Sequence, residues 1–429
     1  MKLSKYNVEI PYKGKVIVAN SVSGGALSLN EEYAKQFHAL KTSSDDVHTD
    51  LVKELIKGGM LVDDDCDEYK TLLLKSRIAR FSSSSLSLTI APTMACNFSC
   101  PYCYEKGQAY TTMSDRVKES LCEFVKQEFP SIGNLAVSWY GGEPLLCVDR
   151  IEDLTAGLKR AIPDGCAYAA TIVTNGYLLT GEVADRLISC GVNSAQITID
   201  GSKANHDARR TLHGGAPTYD VIMHNIQNCA DKINVTVRVN VDSTNVRDVY
   251  ELLDRFEADG LQQKVAVYLA LIDNINETCP NDIHCMSVQE FSSDEMNFLH
   301  ELVRRGFHVQ LFPACNLPIC GAVTLNSYVV DPIGDLYKCW DEIGMRERRI
   351  GSVADGGVSM NKRLVHWLSY EPLDQECGSC FAFPVCLGGC PHHALEDKSR
   401  YCSTLRYNAE QRFRLSGELY ERIREASHV

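Results

Sequence analysis

The stretch Cys96-Asn97-Phe98-Ser99-Cys100-Pro101-Tyr102-Cys103 spaces three cysteines as Cys-x3-Cys-x2-Cys, directly after the strand-length apolar run Leu86–Ala91. Three thiolates at this spacing fit three corners of an iron–sulfur cube and leave the fourth iron without a protein ligand. An open iron is a position for chemistry. A zinc site is the alternative, but structural zinc sites are closed by four ligands. The run ahead of the loop begins a series. Apolar runs at Leu86–Ala91, Leu135–Tyr140, Ala167–Thr174, Ser194–Ile199, Val235–Val241 and Val265–Leu271 alternate with helical patterns near Asp115–Glu128, Ile151–Ala161, Gly181–Ser189, Tyr219–Ala230 and Val246–Ala258. This alternation is the mark of β/α units on a parallel sheet. Six such units are fewer than a closed eight-fold barrel needs. An α/β fold with an open, partial (β/α)6 barrel is predicted, with site residues at the C-terminal strand ends.

On the N-terminal side, residues 1–80 form a separate block. Runs at Tyr6–Ile10 and Lys15–Ala19 around Tyr12-Lys13-Gly14 read as a hairpin. Asn30 can cap a helix through Leu40, a second helix runs from about Thr49 to Lys57, and Gly58-Gly59 ends it before Met60–Val62. Asp63-Asp64-Asp65 lacks the alternate spacing of a calcium loop and reads as a solvated turn. On the C-terminal side, a helix near Ser293–Arg305 precedes a loop-rich segment to about Cys402 and a charged helix at Leu405–Arg424. A long segment with little regular structure is held by something other than a core. The predicted units are 1–80, 81–310, 311–404 and 405–429.

Composition narrows the function classes. The 429 residues carry 43 basic and 56 acidic side chains, a net charge of 43 − 56 = −13. Without basic runs to neutralise phosphates, no nucleic-acid partner is expected. No membrane partner is expected either, because neither a signal-peptide h-region nor a stretch of ~18 apolar residues occurs. The expected location is cytoplasmic. There, 19 cysteines point to metal, not disulfides. Three lie in the loop, eight between Cys315 and Cys402, and eight are scattered: Cys66, Cys122, Cys147, Cys166, Cys190, Cys229, Cys279 and Cys285. The scattered ones read as small buried hydrophobes.

The three-cysteine loop, with Tyr102 before its last cysteine, resembles that of the radical S-adenosylmethionine (SAM) enzymes. Gly141-Gly142-Glu143-Pro144, just past the second strand, resembles the segment by which that family binds the amino group of SAM. Glycines permit close backbone approach, and a carboxylate offers charge-assisted hydrogen bonds to an ammonium. The resemblance also implies that Thr174 and Asn175, Asp200, Arg238 and Asn240 meet the ribose and carboxylate of SAM. Loop or capping roles are the alternative for each. Cys320-x13-Gly334-x4-Cys339, then Cys377-x2-Cys380-x5-Cys386-x3-Cys390 and Cys402, resembles the SPASM extension of these enzymes. The resemblance implies two auxiliary [4Fe-4S] clusters, held by Cys315, Cys320, Cys339 and Cys390 and by Cys377, Cys380, Cys386 and Cys402. With the SAM-binding cluster that makes three. Two zinc ions would satisfy eight cysteines as well. In related sulfatase-maturing enzymes an aspartate after the equivalent of Cys339 is the base. Here Trp340 stands there and Asp341 follows. His392 and His393, after Pro391, could line a site, with surface positions or positions behind the ligands the favoured reading.

The family chemistry implies reductive cleavage of SAM to a 5′-deoxyadenosyl radical that abstracts hydrogen from substrate. The N-terminal block resembles the winged-helix-like domain by which maturases of ribosomally made peptides grip a leader. Together with Cys100-Pro101-Tyr102-Cys103-Tyr104-Glu105, it most resembles maturases of cysteine-rich peptides. The expected activity is installation of a crosslink, a cysteine thioether, in a precursor peptide with a leader. A flavodoxin or ferredoxin is the expected electron donor. The alternatives are an anaerobic sulfatase maturase forming formylglycine, and a non-catalytic iron–sulfur electron carrier.

Overall fold

The computed structural model describes residues 1–41, 49–105, 107–273, 284–312, 315, 317, 320–372, 375–397 and 399–426. Cys279 lies outside the described residues. In the N-terminal block, β2 (Asn7–Tyr12), β3 (Lys15–Asn20) and β4 (Ala26–Leu29) form an antiparallel sheet, and β1 (Lys2–Leu3) pairs with β5 (Leu61–Val62). Helices α1 (Glu31–Ala39), α2 (Thr49–Lys57) and α3 (Glu68–Arg80) complete it. Asn30 caps α1 as expected, accepting the Tyr33 amide at 2.9 Å. Val18, Leu29, Phe37, Leu55 and Met60 form its small core.

The six expected strands are present as β6 (Ser85–Ile90), β7 (Asn134–Trp139), β8 (Ala167–Thr174), β9 (Val192–Thr198), β10 (Asn234–Val241) and β11 (Val265–Leu271). All pair in parallel, each with the next in sequence. Between them lie α4 (Asp115–Glu128), α5 (Val148–Ala161), α6 (Gly181–Ser189), α7 (Lys203–Arg209), α8 (Tyr219–Cys229) and α9 (Val249–Ala258). Leu86, Leu88, Ile90, Leu135, Trp139, Val237 and Phe256 belong to the large core that joins sheet and helices. Helix α9 starts three residues later than its pattern suggests. Asp242 Oδ1 accepts the Thr244 amide at 2.9 Å, which spends Thr244–Asp248 on a turn. Helix α10 (Val288–Arg304) starts earlier than expected, because Ser287 and Glu290 form a capping box there. Cys190 and Cys229 are buried packing residues, as read.

The sheet does not stop at six strands. From the loop-rich segment, β12 (Ser327–Val330) pairs in parallel with β6, and β13 (Asp335–Tyr337), β14 (Gly351–Ser352) and β15 (Gly357–Val358) continue it to ten strands. Strand β6 is therefore internal, and because β13 runs antiparallel to β12, Cys339, two residues past β13, lies toward the N-terminal end of β6, opposite the end that carries the three-cysteine loop. Helices α11 (Lys362–Leu368), α12 (Gln375–Ser379), α13 (Phe383–Cys386) and α14 (Leu405–Ala426) complete the chain, with α14 packed on α10 and β2. Among the described residues, no helix is long and apolar enough to cross a membrane. Because Leu88 is 1% exposed at the seam between β7 and β12, Leu88→Ala should cost ~2–5 kcal/mol in denaturant unfolding.

Candidate active site

The cysteine loop is held from two sides. Past α7, Thr211 O accepts the Ser99 amide at 3.0 Å, Asn97 O accepts the His213 amide at 3.1 Å, and His213 Nε2 lies 2.8 Å from Cys96 O. From β7, Thr93 O accepts the Gly142 amide at 3.2 Å and Ala95 O accepts the Glu143 amide at 2.8 Å. The two glycines serve this contact. A Cβ on Gly141 (φ +99°) would stand 2.5 Å from Thr93 O, and one on Gly142 2.3 Å from Ala95 O. Their absence lets the β7 turn touch the backbone that enters the loop. The sequence reading sent this close approach to a ligand; here it is to the chain itself.

Glu143 is fully buried. Its carboxylate accepts from Thr174 Oγ1 at 2.6 Å, the Asn175 amide at 2.7 Å and the Leu145 amide at 3.0 Å. Burial raises its pKa, and these donors oppose that shift. Thr174 thus faces Glu143, while Asn175 Nδ2 donates to Asn97 Oδ1 in the cysteine loop at 2.7 Å. Two strand ends, those of β7 and β8, are tied through one carboxylate, and Asn175 extends the tie to the loop.

Beneath the loop runs a second network, at the ends of β9 and β10. Tyr102 Oη donates to Asp200 and accepts from Arg210 Nη1 at 2.9 Å, and Asn240 Nδ2 approaches it at 3.5 Å. Arg238 Nε donates to Asn240 Oδ1 at 2.8 Å. Asp200 Oδ1, Arg209 Nη1 and Arg210 Nε are buried with no hydrogen-bond partner among the described residues. Native folds rarely leave such groups orphaned, so a polar, charged ligand fits here. Arg209 and Arg210 were not singled out from sequence. Their only signal is two adjacent cations two strands after the glycine motif.

Cys96, Cys100 and Cys103 lie close enough that their thiolates would repel one another. Burial pushes the Cys96 thiol up to about 12 and Cys103 to about 11. Uncoordinated, they would stay protonated, and a bound metal would displace those protons. In the C-terminal segment, Cys320 neighbours Cys339 and Cys390. Cys386 neighbours Cys380, Cys377 and Cys402. Cys315 packs beside Leu72 and Phe383 with Cys377 and Cys380, apart from the Trp367 cluster that holds Cys320 and Cys339. Cys320, Cys339, Cys386, Cys390, Cys402 and Asp341 all line one cavity of about 510 Å³. Among the described residues, no three His, Cys, Asp or Glu side chains converge to hold a single ion. Zinc requires four donors within about 2.0–2.3 Å of one point. In a cube each thiolate binds its own iron, so the spread donors and the cavity fit a cluster.

Asp341 sits between the two regions. The Cys339 thiol donates to it at 3.4 Å, and burial raises its pKa against the pull of Arg238 and His393. Trp340 stacks on Tyr140 with ring centroids 5.6 Å apart. Tyr140 and Tyr104 share a hydrogen bond and both feel the charge of Asp341 and of Glu105. Burial pushes the Glu105 carboxyl up to about 7. The histidine reading is corrected: His392 is 4% exposed and lines the cavity. His393 lies between Asp273 at 2.6 Å and Asp397 at 2.7 Å, stacked on Tyr401.

Residues 90–256 match the family model of the Radical SAM superfamily. Among curated proteins, the chain is 24% identical over 249 residues to Fe-coproporphyrin III synthase of Methanosarcina barkeri, covering 56% of this chain and 57% of that protein. It is 26% identical over 331 residues to the mycofactocin maturase MftC of Mycobacterium tuberculosis, covering 74% of this chain and 81% of that one. Among solved structures, anSMEcpe with bound AdoMet and a peptide superposes with TM-score 0.62 at 21% identity, covering 80% of this chain and 100% of that chain. SuiB of Streptococcus suis bound to its precursor peptide SuiA superposes with TM-score 0.51 at 14% identity, covering 91% and 95%.

The glycine contact makes a direct test. Gly142→Ala places a methyl against a backbone carbonyl that cannot yield alone. The variant should keep its far-ultraviolet dichroism and lose iron from the three-cysteine loop and SAM binding; unchanged iron and SAM binding would show that the contact does not position the loop.

Proposed function

We propose that this enzyme modifies a ribosomally made precursor peptide, installing a crosslink in which a cysteine sulfur forms a thioether. Its carrying observation is one cavity lined by five C-terminal cysteines together with Asp341, whose charge reaches Tyr104 and Tyr140 and whose neighbour Trp340 stacks on Tyr140. Cys96, Cys100 and Cys103 hold the SAM-binding cluster. With SAM bound, it supplies the 5′-deoxyadenosyl radical that takes hydrogen from substrate. Asp200, Arg209 and Arg210, with their unfilled bonds, and Asn175, Arg238 and Asn240 receive the polar ends of SAM. Gly141, Gly142 and Pro144 shape the turn beside it. Glu143, already engaged by three protein donors, holds the wall of that pocket.

Cys320, Cys339 and Cys390 hold one auxiliary cluster and Cys377, Cys380, Cys386 and Cys402 the other. The packing of Cys315 away from Cys320 and Cys339 supports an open iron on the first, where a substrate sulfur could bind. Asp341 accepts the substrate proton, with Arg238 and His393 beside it to stabilise the carboxylate. Electrons arrive from a flavodoxin or ferredoxin.

Two features support a peptide with a leader. Strand β4 pairs only with β3 among the described residues, and an extended peptide can add to such an edge. The relatives include proteins described as a maturase and as a precursor-peptide complex. Formylglycine formation by a sulfatase maturase is the second reading. It shares Asp341 as the base and gives the N-terminal block no task.

Reconstituted anaerobically with SAM and a reductant, the enzyme should release 5′-deoxyadenosine. Co-expression with a short cysteine-rich peptide encoded beside its gene should lower that peptide's mass by two hydrogens per crosslink. Full iron loading without 5′-deoxyadenosine would refute both enzyme readings, and conversion of a sulfatase cysteine or serine instead would favour the second.

A further inference from the structure

Two buried cations stand at the turn that follows Cys320, and neither forms an ion pair among the described residues. Arg80, the last residue of α3, is 3% exposed. Its guanidinium donates to Val323 O at 2.9 Å, Tyr370 O at 2.9 Å and Leu368 O at 3.1 Å. Lys338 is 2% exposed. Its ammonium donates to Thr324 O, to Ser327 O at 2.7 Å and to Leu325 O at 3.4 Å. Every one of these partners is a backbone carbonyl. The nearest acidic side chain to Arg80, Glu371, is engaged by Arg77 at the surface at 3.1 Å.

Backbone carbonyls satisfy donors and do not neutralise charge. A buried cation left without an anion costs several kcal/mol even after relaxation. Here two of them repel each other across one turn, and both feel the sulfur of Cys320. That sulfur also faces the amides of Ala322 and Val323. Two cations and two amide dipoles thus point at one buried sulfur, and the acid near it, Asp341, is itself pushed toward its protonated form by burial. The site asks for an anion of more than one charge.

We infer that Arg80 and Lys338 are the counter-charge of the auxiliary cluster held by Cys320, Cys339 and Cys390, and that they raise its reduction potential. The inference rests on the cluster assignment proposed above. A four-iron cluster with thiolate ligands is an anion that gains one further negative charge on reduction. A fixed cation beside it stabilises the reduced form more than the oxidised one, and cluster potentials follow net charge and hydrogen bonds to sulfur in this way. Such a cluster would be a better acceptor for the electron that remains after hydrogen abstraction. Arg80 is a positioning and tuning residue here and touches no substrate. It also belongs to the N-terminal block, so the helix that leads out of that block ends on a cluster ligand turn.

The test is a redox titration of the iron-loaded enzyme followed by electron paramagnetic resonance, for the wild type, Arg80→Gln, Arg80→Lys and Lys338→Met. Iron content of the wild type first decides whether auxiliary clusters are present, and too little iron overturns the assignment on which this rests. With wild-type iron content, Arg80→Gln should move one auxiliary cluster to a lower potential and leave the SAM-binding cluster unmoved, while Arg80→Lys restores the wild-type value. Lys338→Met should give the same direction of shift, and provides the reading if Arg80→Gln does not fold. Potentials unmoved in iron-replete Arg80→Gln or Lys338→Met would overturn the proposal and leave both cations as carbonyl clamps.

Discussion

The carboxylate of Glu143 sits in the dry interior and gathers Thr174, Asn175 and Leu145 to itself. A charge buried this deeply is tolerable only when fully bonded, and removing its partners would cost ~3–5 kcal/mol. The ends of β7 and β8 are thereby locked together. Through the backbone of Gly142 and Glu143 they are also locked to the chain that enters the cysteine loop. Everything else at the site takes its position from this junction. Asn175 steadies Asn97 in the loop, Tyr102 reaches down to Asp200 and Arg210, and the loop presents its thiols at the mouth of the barrel.

A second constraint comes from the sheet itself. An open six-stranded barrel would leave the edge of β6 unpaired, a template for unwanted association. The C-terminal segment covers it with β12, and the antiparallel return along β13 then carries Cys339 toward the N-terminal end of β6, opposite the end that carries Cys96. A ten-stranded sheet thus joins the two sets of cysteines, and Cys320, Cys339, Cys386, Cys390 and Cys402 line one cavity with the buried Asp341. Burial raises the thiol pKa values in the first set and the Asp341 pKa, so a metal must displace protons from those thiols and the carboxyl is readied to take a proton.

Much of this was legible before the structure. The six parallel strands announce themselves because strands buried on both faces read as continuous apolar runs. The cysteine spacings are covalent facts. The remaining features rest on signals too weak or too distant to read. Strands β14 and β15 are two residues each, shorter than any periodic pattern. Helix α7 is polar and short, yet it delivers Arg209 and Arg210. The glycine motif reads as a site of close approach, and the structure adds that its turn packs against the chain entering the cysteine loop, because sequence shows that backbone must come near without showing to what. Arg80 and Lys338 carry no pattern at all. Their meaning lies in their convergence on Cys320 without an ion pair among the described residues, visible only in three dimensions.

The central claim is a division of labour among cysteines: three serve SAM and a separate C-terminal group holds auxiliary clusters. Replacing Cys96, Cys100 and Cys103 together with alanine, loading iron and sulfide anaerobically, and counting iron with Mössbauer spectra tests it most directly. The account predicts about eight irons per chain against about twelve in the wild type, as four-iron clusters, with no 5′-deoxyadenosine formed. Loss of nearly all iron, or a wild type holding about four irons and two zinc ions, would contradict it.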